Sequence, residues 1–216
     1  MNIALAVLYA GVISVDRFAA FNLMLSRPIV ISFVLGLLFG NTIECFYVGI
    51  IFEAIGLVDV PFGTRIPKED SFGAFAACCL LTLLPCDHLP QYILIFLLVL
   101  LMMYPVTMTL HITRSFNKAL YVRQQKRGRI YPLRLLMLGM GFSFLRGVVF
   151  YSLGTYLVLQ IYYLIHGHID YHLNFYLFCL MIFVFLTGYI LRFLSARTYF
   201  KYAVFMLGLL TGWVIL

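Results

Sequence analysis

Long apolar runs constrain this chain more than any other feature of its sequence. Residues 91–110 and 171–191 contain no charged side chain and reach the roughly twenty residues that a helix needs to cross hydrocarbon. A helix also satisfies its own backbone hydrogen bonds, as any segment in lipid must. Hydrophobic residues make up 64% of the sequence and charged residues 11%. The chain is therefore predicted to be an all-α, polytopic integral membrane protein, with a single domain over residues 1–216.

The apolar runs predict several membrane spans. These are expected at residues 3–25, 91–111, 133–165, 173–194 and 202–216, and the apolar segment 72–84 is shorter. The segment 133–165 is long for one span and contains several glycines, so a bent or broken helix is expected there. The first basic residue, Arg17, follows the first apolar run instead of preceding it. This order predicts a retained span rather than a cleaved signal peptide.

The formal net charge of +7 is concentrated in one stretch. Its basic residues are Arg114, Lys118, Arg123, Lys126, Arg127, Arg129 and Arg134, with no acidic residue between them. By the positive-inside rule, residues 113–134 are predicted to form a basic cytoplasmic loop. Such a loop also suits contact with anionic membrane lipid. Nucleic-acid binding is not expected, because no aromatic or motif context accompanies the charge.

Metal, cofactor and catalytic chemistry find little support in the sequence. His166, His168, Asp170 and His172 have side chains that can bind metal, but the segment is short and lacks a second cluster, so a solvated external loop is predicted. The five cysteines lack metal-like spacing and are expected to pack as small apolar residues. No phosphate-binding loop or nucleophile elbow is present. We expect no cofactor, no metal and no catalysis by this chain alone.

Residues 26–70 form an unusual apolar segment. Glycines and Asn41 interrupt it, and two carboxylates, Glu44 and Glu53, lie inside it, although a charge at the bilayer centre is costly. One interpretation is a single tilted helix of about 30 residues. The other is a re-entrant or broken-helix hairpin over residues 28–58, which is allowed where protein or water lines the break. The hairpin is the preferred interpretation, since glycine-broken apolar segments mark binding sites in transporters.

Glu53 stands on a helical face with glycines on both sides. Gly49, Glu53 and Gly56 are spaced i, i+4 and i+7, which leaves room for a small polar ligand beside the carboxylate. The alternative is that the glycines allow close helix packing while Glu53 pairs with Arg17 or Arg146. Glu44 lies about half a turn away from this face, and the sequence assigns it no role.

The segment also carries local packing and capping signals. Pro28 is predicted to begin a helix, with Ser26 as its cap. Gly36 and Gly40 form a G-x-x-x-G pattern that predicts close helix packing. Arg17 needs a partner from elsewhere in the chain: it either pairs with a carboxylate of the hairpin or extends to the membrane interface.

A family resemblance rests on the same segment. Arg27–Pro28, an apolar run to Gly40, the sequence Gly49-x-x-x-Glu53, and then Gly56, Gly63 and Pro67 together resemble the membrane subunit IIC of the mannose/fructose/sorbose-family bacterial phosphotransferase system. The resemblance covers about residues 11–77, and the remainder of the chain agrees with that family in hydropathy alone.

The resemblance implies a function in sugar transport. A subunit of this kind moves a hexose-like sugar across the bacterial cytoplasmic (inner) membrane, coupled to its phosphorylation. It works with a IID-like membrane subunit and cytosolic IIA and IIB components, which carry the phosphoryl group, and an oligomer is expected. Glu53 matches the family's motif glutamate and becomes the leading sugar-binding residue. Gly49, Gly56, Asn41 and Asp70 are the other substrate-binding candidates.

The sequence departs from the family pattern at two motif positions. Asn41 stands where the family has aspartate, and Ile50 replaces the second glycine of a glycine pair. Two alternatives to sugar transport therefore stay open. One is a membrane transport subunit unrelated to phosphorylation, of the vitamin-binding type. The other is a divergent regulatory membrane protein.

Overall fold

The computed structural model describes residues 3–19, 23–58, 68–84, 86, 89–126, 131–165 and 182. Within these ranges the regular secondary structure is all α-helix, and the helices are α1 (Ile3–Phe18), α2 (Pro28–Phe39), α3 (Thr42–Val58), α4 (Asp70–Leu83), α5 (Leu89–Lys126) and α6 (Pro132–Ile165). The histidine segment 166–172 and the predicted span 202–216 lie outside the described residues, as does the span 173–194 apart from residue 182.

Two of the described helices are long and apolar enough to cross a membrane, namely α5 from Gln91 and the whole of α6. At 1.5 Å per residue, the 38 residues of α5 extend over about 57 Å, well beyond the thickness of a hydrocarbon layer. Most of the predicted basic loop 113–134 is therefore helical, and its placement in the cytoplasm stays a prediction. Residues as far as Lys126 continue the helix, and only residues 127–131 separate α5 from α6.

The first predicted span ends earlier than expected. Helix α1 stops at Phe18, whereas the span was expected to run to residue 25. The cause is Asp16, whose carboxylate oxygens accept backbone N–H bonds from Leu23 at 2.6 Å and from Ser26 at 3.0 Å. These bonds hold the described residues 23–26, which are not helical, against the last turn of α1.

Of the bent or broken helix expected in residues 133–165, the break is not observed, because α6 is a single helix. Two of its glycines, Gly147 and Gly154, allow neighbouring helices to approach. A Cβ atom at Gly147 would lie 2.5 Å from the Ala10 carbonyl oxygen of α1, and one at Gly154 would lie 2.8 Å from the Phe72 ring of α4. These positions are packing contacts rather than flexible points.

Residues 28–58 form two helices rather than one. Helices α2 and α3 pack against each other as a hairpin, and the chain turns at Gly40, whose φ is +80°. The N–H of Gly40 closes the end of α2 on the Gly36 carbonyl at 2.9 Å. Gly36 itself permits close packing, since a Cβ there would lie 2.8 Å from the Thr42 Cα. The two glycines of the motif thus have different roles, one in the turn and one in packing.

Helix α4 occupies the centre of the described bundle. Its residues from Ser71 to Leu81 are all buried, and it packs against α2, α3, α5 and α6. The sequence predicted a short apolar segment in this place, and the helix matches it closely. Pro28 begins α2 as predicted, but Ser26 is not its cap, because Arg27 occupies the cap position and makes no side-chain capping bond.

The turn at Gly40 gives a first testable prediction. A Cβ atom at this position meets no other atom within 4 Å, so substitution should cost only backbone strain. Gly40→Ala is expected to lower the free energy of unfolding by about 1–2 kcal/mol, because a left-handed conformation is unfavourable for alanine. Denaturant titration in mild detergent would measure this. Gly40→Asn, which tolerates the conformation better, should cost less, and equal losses in the two variants would contradict the explanation.

Candidate functional site

Charged side chains converge where α4 begins. Within the described ranges, the ion pairs are Arg17–Asp70, Arg27–Glu53 and Arg146–Glu69. We refer to these six residues as the ion-pair cluster. It joins the ends of α1, α3 and α4, the residue before α2, and the interior of α6. Because such groups are costly to bury alone, their mutual pairing explains how an otherwise apolar bundle contains them.

The Arg146–Glu69 pair is the most deeply buried of the three. The side chains are 2% and 0% exposed. The second carboxylate oxygen of Glu69 accepts a hydrogen bond of 2.7 Å from the Tyr151 hydroxyl, and the Glu69 backbone N–H donates to the Thr107 hydroxyl oxygen at 3.1 Å. Glu69 thereby ties the start of α4 to α5 and α6. Its full set of partners indicates a structural role.

The Arg17–Asp70 pair links α1 to α4 and is partly accessible. Its side chains are 16% and 14% exposed. Arg17 also donates a hydrogen bond to the Ser71 hydroxyl, which in turn donates to the Ser26 carbonyl at 2.6 Å. The expectation that Arg17 pairs with a carboxylate of the hairpin is therefore wrong, since its acidic partner lies at the start of α4.

The Arg27–Glu53 pair is the most accessible. Arg27 Nη1 lies 2.9 Å from Glu53 Oε1, and the Arg27 side chain is 53% exposed. The other Glu53 oxygen accepts a long bond of 3.5 Å from the Ile29 N–H. Glu53 does not pair with Arg17 or Arg146, as the packing alternative proposed. Because Arg27 is half exposed, solvent screens this pair although Glu53 is only 16% exposed, so a ligand could replace Arg27 at Glu53 with a small loss of stability.

The two glycines of the Glu53 face lie in different surroundings. Gly56 lies against the Asp70 carboxylate, which occupies the space that a Cβ atom would need. Gly49 instead lies against α2, where a Cβ would be 2.7 Å from the Ser32 Cβ and 3.1 Å from the Ile29 Cα. Gly56 thus allows α3 to approach the Asp70 carboxylate at the start of α4, while Gly49 allows α2 and α3 to pack closely.

Asn41 is not brought to the cluster. It precedes α3 at the opposite end from Glu53, and the twelve intervening steps of helix correspond to about 18 Å. Its side-chain amide donates to Glu44 Oε2 at 2.7 Å. This bond accounts for Glu44, whose charge in the first turn of α3 also interacts favourably with the helix dipole.

Sequence reasoning missed three residues: Glu69, which belongs to the ion-pair cluster, and its hydrogen-bond partners Tyr151 and Thr107. Glu69, Tyr151 and Thr107 were not singled out, although each is buried and hydrogen bonded at the start of α4. A signal was present in two places. An acidic pair, Glu69–Asp70, directly precedes an apolar run, and Arg146 stands inside a long apolar span that requires a buried counter-charge.

The cluster is chemically suited to binding hydroxyl groups. Carboxylate oxygens accept and guanidinium groups donate charge-assisted hydrogen bonds, which are stronger than neutral ones. Glu53 and Asp70 are the partly accessible acids, and Gly56, about one turn after Glu53 on α3, lies against the Asp70 carboxylate. Within the part of the chain that the structure describes, no group of three potential metal ligands is found.

Comparison with known proteins adds no family assignment. No protein-family model matches the chain, and no curated protein sequence matches it. The function is therefore inferred from the residues and their geometry.

Proposed function

We propose that the chain is a polytopic subunit of the bacterial cytoplasmic membrane that translocates a hexose-like sugar, in the manner of a IIC subunit of a mannose-family phosphotransferase system. The observation that carries the proposal is the convergence of Glu53, Gly56 and Asp70 at the open end of a broken-helix hairpin. The sequence resemblance supplies the ligand class. Phosphoryl transfer belongs to partner subunits.

The accessible Arg27–Glu53 pair can exchange its mutual contact for contacts with a sugar. Sugar hydroxyls donate to Glu53 and replace Arg27, whose guanidinium then donates to other sugar oxygens. The exchange conserves charge-assisted bonds, so it does not leave a carboxylate unpaired in an apolar bundle. Asp70, held beside Gly56 by Arg17, forms the neighbouring wall of the site.

The buried Arg146–Glu69 pair keeps its partners and forms the fixed part of the proposed sugar site. Arg146–Glu69 anchors the start of α4 to α6, whereas Arg27–Glu53 lies near the surface between the hairpin helices. In alternating access a ligand shifts the population of two conformations only through contacts that differ between them, so some groups exchange partners while others stay fixed. The difference in exposure between the two pairs supports this division.

Uptake by Glu53→Gln tests the proposal. Proteoliposomes holding the chain with its IID-like, IIA and IIB partners are supplied with phosphoenolpyruvate and radiolabelled mannose or fructose. Glu53→Gln should reduce the initial uptake rate about 100-fold, since Gln keeps the shape but loses the charge-assisted bonds. Glu44→Gln is the matched control, because Glu44 lies at the far end of α3. Equal, wild-type rates in both variants would remove Glu53 from the sugar site.

Co-purification after mild detergent extraction separates the proposal from its alternatives. A IID-like membrane subunit is expected among the bound proteins. An ATPase module would instead indicate a transport subunit unrelated to phosphorylation. Absence of any sugar-dependent thermal shift in the isolated complex would favour a regulatory membrane protein.

A further inference from the structure

The end of α5 and the beginning of α6 carry a strongly one-sided charge. From Leu89 to Ile165 the sequence contains no aspartate or glutamate. Arg114, Lys118, Arg123 and Lys126 on α5 and Arg134 on α6 are all exposed, and none belongs to an ion pair within the described residues. These cations therefore have no acidic counterpart on their own helices, and they attract an anionic partner.

A groove lies between the two helices at this end. Its volume is about 280 Å³, and its main walls are Asn117, Leu120 and Tyr121 on α5 and Leu135, Leu136 and Gly139 on α6. Phe116 and Phe142 stack at 4.1 Å between ring centroids beside it and hold the two helices together. We refer to this space as the α5–α6 groove.

The groove lining is apolar and polar but uncharged, and basic residues of α5 flank it. Arg114, Lys118 and Tyr121 are spaced i, i+4 and i+7, so they form one stripe on α5 beside Asn117. Across the groove, Leu136 is 49% exposed. Cations next to exposed apolar side chains and a tyrosine are typical of a membrane interface.

We infer that the α5–α6 groove binds an anionic phospholipid, with its phosphate on Arg114 and Lys118 and an acyl chain against the groove's leucines. The inference rests on the membrane location in the proposed function. An acidic protein would satisfy the charge but would leave the exposed Leu136 and the other leucines of the groove without an apolar partner. A phospholipid satisfies both because its headgroup and chain are joined.

The open space at Gly139 supports an acyl chain in this position. A Cβ atom there would lie 3.5 Å from Asn117 Oδ1, an ordinary contact, so the backbone does not need glycine for packing. A larger side chain would instead fill the groove. Gly141, two residues along the same helix, has nothing within 4 Å of its Cβ position and lies outside the groove lining.

The test counts bound lipid by native mass spectrometry on delipidated protein titrated with dioleoylphosphatidylglycerol or dioleoylphosphatidylcholine. The first phosphatidylglycerol should bind more tightly than phosphatidylcholine. Arg114→Gln/Lys118→Gln should weaken its binding about 30-fold, from the loss of two headgroup contacts. Arg123→Gln/Lys126→Gln removes the same charge from α5 and should change binding by about threefold at most, because both residues lie on a different face of the helix from the Arg114–Lys118–Tyr121 stripe.

A second pair of variants tests the groove rather than the charge. Gly139→Leu should abolish the tight phosphatidylglycerol site, and Gly141→Leu should leave it intact. Equal weakening by both charge-removing double variants, or equal binding of the two lipids, would overturn the site. Competition by soluble glycerol 3-phosphate at equal concentration would reveal a phosphate site without a lipid chain. A polyglutamate peptide that binds while phosphatidylglycerol does not would reveal a protein-docking surface.

Alkaline extraction of membranes separates failure of this inference from failure of the proposed function. Release of the chain at high pH would refute its membrane location and both proposals together. A chain that stays in the membrane and transports sugar, but shows no preference for phosphatidylglycerol, would refute the lipid site alone.

Discussion

Arg146→Met is expected to destabilise the protein by about 3–5 kcal/mol, the largest loss among the variants considered. Methionine removes the guanidinium and leaves the Glu69 carboxylate, which is 0% exposed, without its counter-charge. The free energy of unfolding from denaturant titration in mild detergent measures the loss. Arg134→Met is the matched control, because Arg134 is exposed in the first turns of the same helix and its loss should cost about 0.5 kcal/mol or less.

A second substitution distinguishes loss of charge pairing from loss of packing. Glu69→Gln in the Arg146→Met background removes the unpaired charge but keeps a side-chain oxygen that can accept the Tyr151 hydroxyl bond. The double variant should therefore be more stable than Arg146→Met alone. If the double variant is as unstable, or if Arg146→Met behaves like Arg134→Met, then the buried ion pair does not have the role assigned to it.

The helical class could be predicted from the sequence because long apolar runs leave few alternatives for backbone hydrogen bonding. The turn at Gly40 followed from the same reasoning, since glycine and asparagine interrupt an apolar segment there. Helix ends were less predictable. The end of α1 depends on hydrogen bonds between Asp16 and the backbone of residues 23 and 26, which a hydropathy pattern does not contain.

The pairing of charges could not be derived from sequence at all. The sequence places Arg17, Arg27 and Arg146 in or beside apolar segments that also contain acids, and local spacing leaves all combinations open. The choice depends on how α1, α4 and α6 pack, since Glu69 faces α6 while the adjacent Asp70 faces α1. Neighbouring helical residues point in different directions, and so two consecutive acids reach different partners.

The extension of α5 beyond its apolar part also did not follow from the sequence pattern. A charged segment after an apolar span predicts a loop, because charge ends a membrane span. Charge does not end a helix, however, and lysine, arginine and glutamine are good helix formers. Leu120 and Gln124 recur on the half-buried side of α5, one turn apart, so packing against α6 extends the helix beyond its apolar part.

Gly56→Ala should abolish sugar uptake while leaving the protein able to fold. The new Cβ would overlap the Asp70 carboxylate, which must then move away from Arg17. Displacement of a binding group by about 1 Å typically costs a hundredfold in rate, so the initial uptake rate should fall about 100-fold. Gly141→Ala adds the same atom in open space on α6 and should transport at the wild-type rate.

The double variant Gly56→Ala/Asp70→Ser relieves the steric overlap but also removes the acid. Serine at position 70 leaves room for the added Cβ at position 56, yet Arg17 loses its acidic partner and the carboxylate is gone, so uptake should not return. Recovery of uptake would mean that Asp70 does not contact sugar. Wild-type uptake by Gly56→Ala would place the sugar away from Gly56 and Asp70, and the ion-pair cluster would then be a structural feature of the bundle.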